Sequence, residues 1–358
     1  KGRRFGFFPS VAVGWVISNE RFFEPIRKTV SLLKLRASYG LSGNDYMSDR
    51  FQYISTIDMS SSNNEYKAFL GLDPVIHEGI RVLKWGNRDL TWETTTQYNI
   101  GYDLSLFRSR LNFTVDLYRK NTTDLLLNAN MPYSSGYTKV FKNVGAVRNQ
   151  GIELSLSTVN IQTKDFTWSS DFNISFNRSK VMELTEGEEF LLSKVSFTAD
   201  YNSSYLYIAQ VGQPMAQFYG YEWAGVYGLD DFDCDSGGNY TLKKGVPTNG
   251  LERDKIQPGD IKYVDQNDDG VVNDKDRVVI GRGEPIHTGG FNNNFTYKGL
   301  TLNVFFQWNY GNDIMNANRI IFEGNALSKN INQYASYADR WSPENPVSYT
   351  HLRAHETD

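Results

Sequence analysis

Residues 265–276, Asp-Gln-Asn-Asp-Asp-Gly-Val-Val-Asn-Asp-Lys-Asp, carry side-chain oxygens at the spacing of a calcium loop. Hard divalent cations gather about six to eight oxygen ligands. Asp265, Asn267, Asp269, the Val271 carbonyl, Asn273 through a water and Asp276 at the last position would supply them, with Gly270 making the sharp turn and Val272 free to pack inward. The expected role is structural, Ca²⁺ pinning a long loop. Asp276 replaces the bidentate Glu of a strict EF-hand, and the flanks Asp260–Val264 and Arg277–Gly281 read as strands rather than helices. A shorter ligand reaches the ion less easily, so affinity should be low. The alternatives are Mg²⁺ and a metal-free loop held by Asn and Asp side-chain turns.

Other chemistry is harder to assemble. Glu93, Asp103, Glu153 and Asp171 could form carboxylate pairs, but no spacing places two of them at glycosidase separation. His77 and His287 lack a nucleophile-elbow context. Gly281-Arg282-Gly283 precedes Pro285 and a strand, so it turns the chain rather than cradling a phosphate. No catalytic residue is assigned, and the chain reads as a non-enzyme. The aromatic run Phe218, Tyr219, Tyr221, Trp223 and Tyr227 could stack on sugar rings, although alternating barrel aromatics explain it more simply. Met215 to Tyr227 is rich enough in aromatics to hold a further strand.

The elements that carry these residues are strands with two different faces. From Trp92 to Leu106, Trp92, Thr94, Thr96, Tyr98, Ile100, Tyr102, Leu104 and Leu106 share one side, while Glu93, Thr95, Gln97, Asn99, Gly101, Asp103 and Ser105 share the other. A globular strand runs ~5–6 residues and a tilted bilayer-crossing one ~9–11, so this strand is long enough to cross. The alternation recurs at Leu33–Tyr39, Leu111–Leu117, Ile152–Leu156, Phe166–Phe176 and Leu300–Tyr310, with no charge on any apolar side. That absence discriminates, because Lys or Arg facing lipid at the midplane costs ~2–4 kcal/mol and a charge facing a wet lumen costs little. Trp15, Trp92, Tyr118, Trp168, Tyr297, Trp308 and Tyr310 fall near strand ends, where amphipathic rings favour the interface. An antiparallel sandwich with one wet face would alternate in the same way.

The joins favour a barrel. Arg108-Ser109, Asn160–Lys164 and Lys298-Gly299 are tight, whereas Gly43–Asp89, Lys120–Val147 and Lys180–Pro285 are very long. Short turns on one side and long loops on the other are an outer-membrane barrel's habit. The 358 residues are 40% hydrophobic and 14% aromatic with a formal charge of −4. Mean hydropathy is −0.49 and no run approaches the ~20 apolar residues of a helical span. No basic patch suggests nucleic acid. Cys234 is alone, which excludes an intrachain disulfide. No signal peptide or initiator Met stands at Lys1, so the chain is expected to be an internal fragment.

Several blocks are recognisable together: Leu90–Leu126, Phe141–Leu156 with Asn143, Gly145, Asn149, Gly151 and Glu153, Pro258–Gly281, Arg4–Trp15 and Leu35–Asn44. In this order they resemble the SusC/RagA family of TonB-dependent outer-membrane transporters, over essentially residues 1–346. The resemblance implies an all-β fold, an antiparallel transmembrane β-barrel fragment making about half of a barrel of about 22 strands, the size whose lumen is plugged. It implies the Gram-negative, Bacteroidetes-like outer membrane, its lipid around the wall, and import of oligosaccharides or peptides. A SusD-like lipoprotein would act as lid, and TonB with ExbB and ExbD would drive transport through a region preceding the barrel. The alternative reading is a surface calcium-binding adhesin or polysaccharide-binding β-protein. Val347–Thr357 departs from the family and resembles an in-frame translation of a transposase-type sequencing adapter, so residues 347–358 are expected to be a non-native tail, which sets aside His351 and His355.

Overall fold

The computed structural model describes residues 5–46, 52–58, 67–69, 76–78, 81–131, 134, 139–185, 187–194, 205–323, 332–342 and 344. The tail expected from Val347 lies outside these residues. The chain divides into one unit of residues 1–190, 210–214 and 286–310, and another of 191–209, 215–285 and 311–358.

The first unit is an eight-stranded antiparallel sheet whose spatial order follows chain order. Its strands are β1 (Ser10–Val16), β2 (Val30–Asn44), β3 (Glu93–Leu106), β4 (Leu111–Thr123), β5 (Ala146–Gln162), β6 (Phe166–Glu183), β7 (His287–Tyr297) and β8 (Leu300–Tyr310). The sheet does not close, since β1 and β8 are its two edges. Half of a barrel of about 22 strands would hold about eleven.

Register converts the period-two pattern into two faces. One row runs Leu35, Tyr102, Val115, Leu154, Ile174, Gly289 and Trp308 across β2 to β8. The next row on the same face is Ala37, Ile100, Leu117, Ile152 and Phe176. Each such neighbour pair contributes roughly 0.2–1 kcal/mol, and a one-residue slip would turn the whole set to the wet side. Val13, Ile100 and Leu302 remain 67%, 60% and 58% exposed, so among the described residues of this unit nothing covers them.

The joins obey the expected asymmetry. At one end lie the turn Phe107–Arg110, with Phe107, Arg108 and Ser109 all at left-handed φ of 55–63°, the turn after Gln162 and the two residues Lys298-Gly299. At the other end are the long connections. That between β4 and β5 carries a hairpin of Leu126–Asn130 with Lys139–Asn143, and that between β6 and β7 carries most of the second unit.

Three placements correct the expectations from sequence. Tyr118 sits on the polar side, where its hydroxyl donates to Asn177 Oδ1 at 2.9 Å, because it shares parity with Asp116 and Asn112. Its ring covers Gly151, whose added Cβ would meet the Tyr118 oxygen at 2.6 Å. The dry side carries a polar island: Ser170 Oγ and Trp168 Nε1 donate to Asn293 Oδ1 at 2.7 and 3.0 Å, and Asn160 Nδ2 donates to Ser170 Oγ at 2.7 Å. Internal satisfaction makes those polar groups tolerable there. The third is an addition rather than a reversal: Phe305, for which no face was expected, lies on the polar side of β8, paired with Asn292.

The second unit has its own cores. Tyr227, Phe232, Leu242 and Ile256 form one, and Ile261, Tyr263 and Val272, with Tyr221 against them, form the other. Met215–Tyr227 holds two short strands, Gln217–Tyr221 and Trp223–Val226, neither of them in the eight-stranded sheet. Its aromatics therefore do not belong to the eight-stranded wall. Phe218 and Tyr227 are buried, and Arg277 lies over the Tyr221 ring at 4.8 Å.

Candidate functional site

The polar face of the sheet is centred on one cation. Arg36 Nε and Nη2 donate to Asp103 Oδ2 and Oδ1 at 2.8 and 3.0 Å, a bidentate pair between β2 and β3. Nη2 also donates to Asp116 Oδ2 on β4 at 3.1 Å, and Nη1 lies 3.1 Å from Asp116 Oδ1 as an ion pair out of hydrogen-bond alignment. The planar guanidinium suits this fork better than an ammonium would. It can lie flat because Gly101 is opposite Arg36 in register, and a Cβ there would come within 2.5 Å of Arg36 Cζ.

The four carboxylates singled out from sequence are not brought together. Glu93 ties the loop end, accepting from Asn44 Nδ2 at 2.8 Å and Leu126 N at 2.9 Å. Asp103 belongs to the Arg36 fork, Glu153 lies between Asp116 and Ser175, and Asp171 between Ser157 and Asn292. The partner that sequence reasoning missed is Arg36, 67 residues from Asp103. Only strand register could have joined them. His287 stands on the apolar face, stacked on Tyr310 at 5.0 Å and accepting at Nδ1 from Trp308 Nε1 at 3.1 Å.

In the second unit, the Asp265–Asp276 loop is closed by its own donors. Asp265 accepts from the amides of Asp269 (3.3 Å) and Gly270 (2.7 Å), Asn267 from Asp269 (3.0 Å), and Asp269 from Val271 (2.9 Å). Asn273 Oδ1 accepts from Lys275 N at 3.0 Å, while its Nδ2 donates to the Val271 carbonyl at 3.1 Å. Asp276 is fully buried, and its two oxygens accept from Gln266 N at 3.0 Å and Asn273 N at 2.7 Å, clasping both ends of the loop. Val272 packs inward as expected, 2% exposed. Among the described residues no three His, Cys, Asp or Glu side chains are grouped as a metal site. The carboxylates of Asp265, Asp269 and Asp276 are each held by amides of the loop itself, which leaves lone pairs on their oxygens.

A long-stranded antiparallel wall, dry on one side and ionic on the other, with short turns at one end and long loops at the other, defines an outer-membrane β-barrel wall. Comparisons with known proteins agree. Residues 1–338 match the family model described as TonB dependent receptor-like, beta-barrel. TonB-dependent receptor P39 of Formosa agariphila is 35% identical over 335 residues, 88% of this chain and 30% of the relative. TonB-dependent receptor SusC of Bacteroides thetaiotaomicron is 30% identical over 253 residues, 68% of this chain and 24% of the relative. The RagAB peptide importer in its closed-closed state superposes with a TM-score of 0.68 at 26% identity, over 97% of this chain and 34% of that one. The chain belongs to the TonB-dependent receptor β-barrel family, and it spans about a third of the length of the curated relatives it matches.

Proposed function

We propose that this chain forms part of the wall of an outer-membrane importer of SusC/RagA type, passing large nutrients along its polar face. Oligosaccharides or peptides are the cargo, a SusD-like lipoprotein is the lid, and TonB with ExbB and ExbD supplies the energy. The carrying observation is the separation of faces: Arg36, Asp103 and Asp116 meet on one side, while Leu35, Tyr102, Val115 and Leu154 line the other. A sandwich would cover its dry face, whereas here Val13, Ile100 and Leu302 stay exposed on it, which suits lipid on one side and water on the other. The likeness to the RagAB peptide importer supports peptides, and the likeness to SusC supports a transporter of the same build.

The test is fractionation and uptake. The protein should sediment with outer membranes, migrate heat-modifiably and co-purify with a surface lipoprotein. Its deletion should abolish uptake of labelled oligosaccharides or labelled peptides, and which of the two is lost names the cargo. A water-soluble monomer would overturn the proposal in favour of the surface adhesin or polysaccharide-binding reading.

Calcium at the Asp265–Asp276 loop is proposed as a weak structural ligand. Calorimetry should detect binding in the range of about 10⁻⁴–10⁻³ M typical of extracellular modules. Silence at millimolar calcium would leave the hydrogen-bonded loop as the whole explanation.

A further inference from the structure

The apolar side of the wall ends abruptly toward the long loops. Leu117, Ile152 and Phe176 form its last apolar row on β4, β5 and β6. The next row on the same face is Tyr98, Arg119, Gln150 and Arg178, and the one beyond is Thr96, Asn121, Arg148 and Lys180. Four cations thus stand on three adjacent strands, immediately past the dry band. Strands lie about 4.8 Å apart and same-face residues about 6.6 Å apart along a strand, so the four Cα positions fit within roughly 12 Å of one another.

No acid stands within these two rows, and Glu183, paired with Ala146, lies in the row beyond. The other outward positions in the two rows from β2 to β6 are Tyr39, Tyr98 and Gln150, then Leu41, Thr96 and Asn121. Among the described residues none of the four cations makes an ion pair, in contrast to Arg36 with its two carboxylates on the opposite face. Arg148 is oriented by its Nε donating to Asn121 Oδ1 at 2.9 Å. Arg178 Nη1 rests on the carbonyls of Asn177 and Ile286 at 2.9 and 3.0 Å. Arg119, Arg178 and Lys180 are exposed.

We infer that Arg119, Arg148, Arg178 and Lys180 form an outward-facing site for the phosphate groups of an outer-leaflet glycolipid. The inference rests on the outer-membrane reading of the wall. Three observations choose this occupant. The patch faces away from the lumen, so cargo does not meet it. It begins one residue pair past the apolar band, which is headgroup depth, at the loop end that faces outward in such barrels. Every charge within these two rows is positive, and guanidinium groups bind phosphate oxygens in a fork.

The test uses the protein purified from outer membranes in a non-ionic detergent. Bound phosphorylated glycolipid is measured by native mass spectrometry, and affinity by titration with lipid A in mixed micelles. Changing all four residues to Gln should weaken lipid A binding by roughly 100- to 1,000-fold. The pair Arg119→Gln and Lys180→Gln, whose side chains make no hydrogen bond among the described residues, should weaken it by roughly 10-fold or more. Heat-modifiable migration should be unchanged in both variants, which shows that the wall still folds. Wild-type binding should also fall with added salt and with dephosphorylated lipid A. Equal binding of lipid A by wild type and the quadruple variant would overturn the inference while leaving the wall intact. Inorganic phosphate competing as well as lipid A would overturn the lipid as source. Failure of the wild type to fractionate with membranes would overturn the wall reading and this one together.

Discussion

Val115 and Thr114 are adjacent on β4 and point to opposite faces, so one substitution at each separates the two solvents. Val115 lies between Tyr102 and Leu154 on the apolar side, and Thr114 lies between Asp103 and Ser155 on the polar side. The apolar run on β4 extends from Leu111 to Leu117, with Arg119 marking the loop-side limit and the turn after Leu106 the other. On β3 the run Tyr98–Leu106, tilted at about 40°, spans about 20 Å of the roughly 25 Å lipid-facing band. Val115 therefore sits near the midplane, where a Lys costs about 2–4 kcal/mol, or about 30- to 700-fold in the folding equilibrium. Thr114→Lys places its ammonium near Asp103 in a wet interior and should cost under about 1 kcal/mol. The assay is denaturant-induced unfolding of each variant in lipid vesicles, followed by heat-modifiable migration. Equal destabilisation by the two substitutions, or a larger loss from Thr114→Lys, would refute the assignment of faces.

Three further outcomes follow from the same geometry. Asp276→Asn removes a buried, charge-assisted acceptor from the amides of Gln266 and Asn273 and should cost about 2–4 kcal/mol of local stability; hydrogen exchange that stays slow at both amides would contradict the clasp. Tyr227 is fully buried with its hydroxyl donating to the Pro247 carbonyl at 2.7 Å, and burial first, then the Asp231 charge, raises its ionisation above the ordinary tyrosine range. The folded state thus holds a proton that the unfolded chain releases, so the contribution is complete below about pH 10 and is lost as pH rises further. Tyr227→Phe should flatten that alkaline loss in a fluorescence-monitored titration, and an unchanged profile would assign the loss elsewhere. On the dry face, a double-mutant cycle of Ser170→Ala and Asn293→Leu should give a coupling of about 0.5–1.5 kcal/mol, and additivity would show the bond to be idle.

Much of the wall was legible because a strand's faces are written with a period of two. Trp92 to Leu106 showed its two solvents locally, and the tight joins at Lys298-Gly299 and near Arg108-Ser109 marked where strands reverse. What escaped depends on which strand lies beside which. Ser170 and Asn293 look like faults on an apolar face until register joins them 123 residues apart. Tyr118 counts as an interfacial ring by type and as a lumen residue by parity, and parity prevailed because Gly151 leaves its ring room. The aromatics from Phe218 to Tyr227 carried strand propensity without a membrane period, since they build the small cores of the second unit.

The Asp265 loop illustrates a different limit. Oxygen-bearing side chains at alternate positions satisfy a calcium pattern, but the same short side chains also turn back onto amides two to five residues away. Spacing is common to both outcomes, so it cannot separate them. Burial narrows the choice: Asp276 at 0% exposure gives each of its oxygens to one amide, of Gln266 and of Asn273, and a cation there would share those oxygens. Any calcium affinity therefore rests on the lone pairs that these amide bonds leave free, and the missing Glu is the reason for binding to be weak.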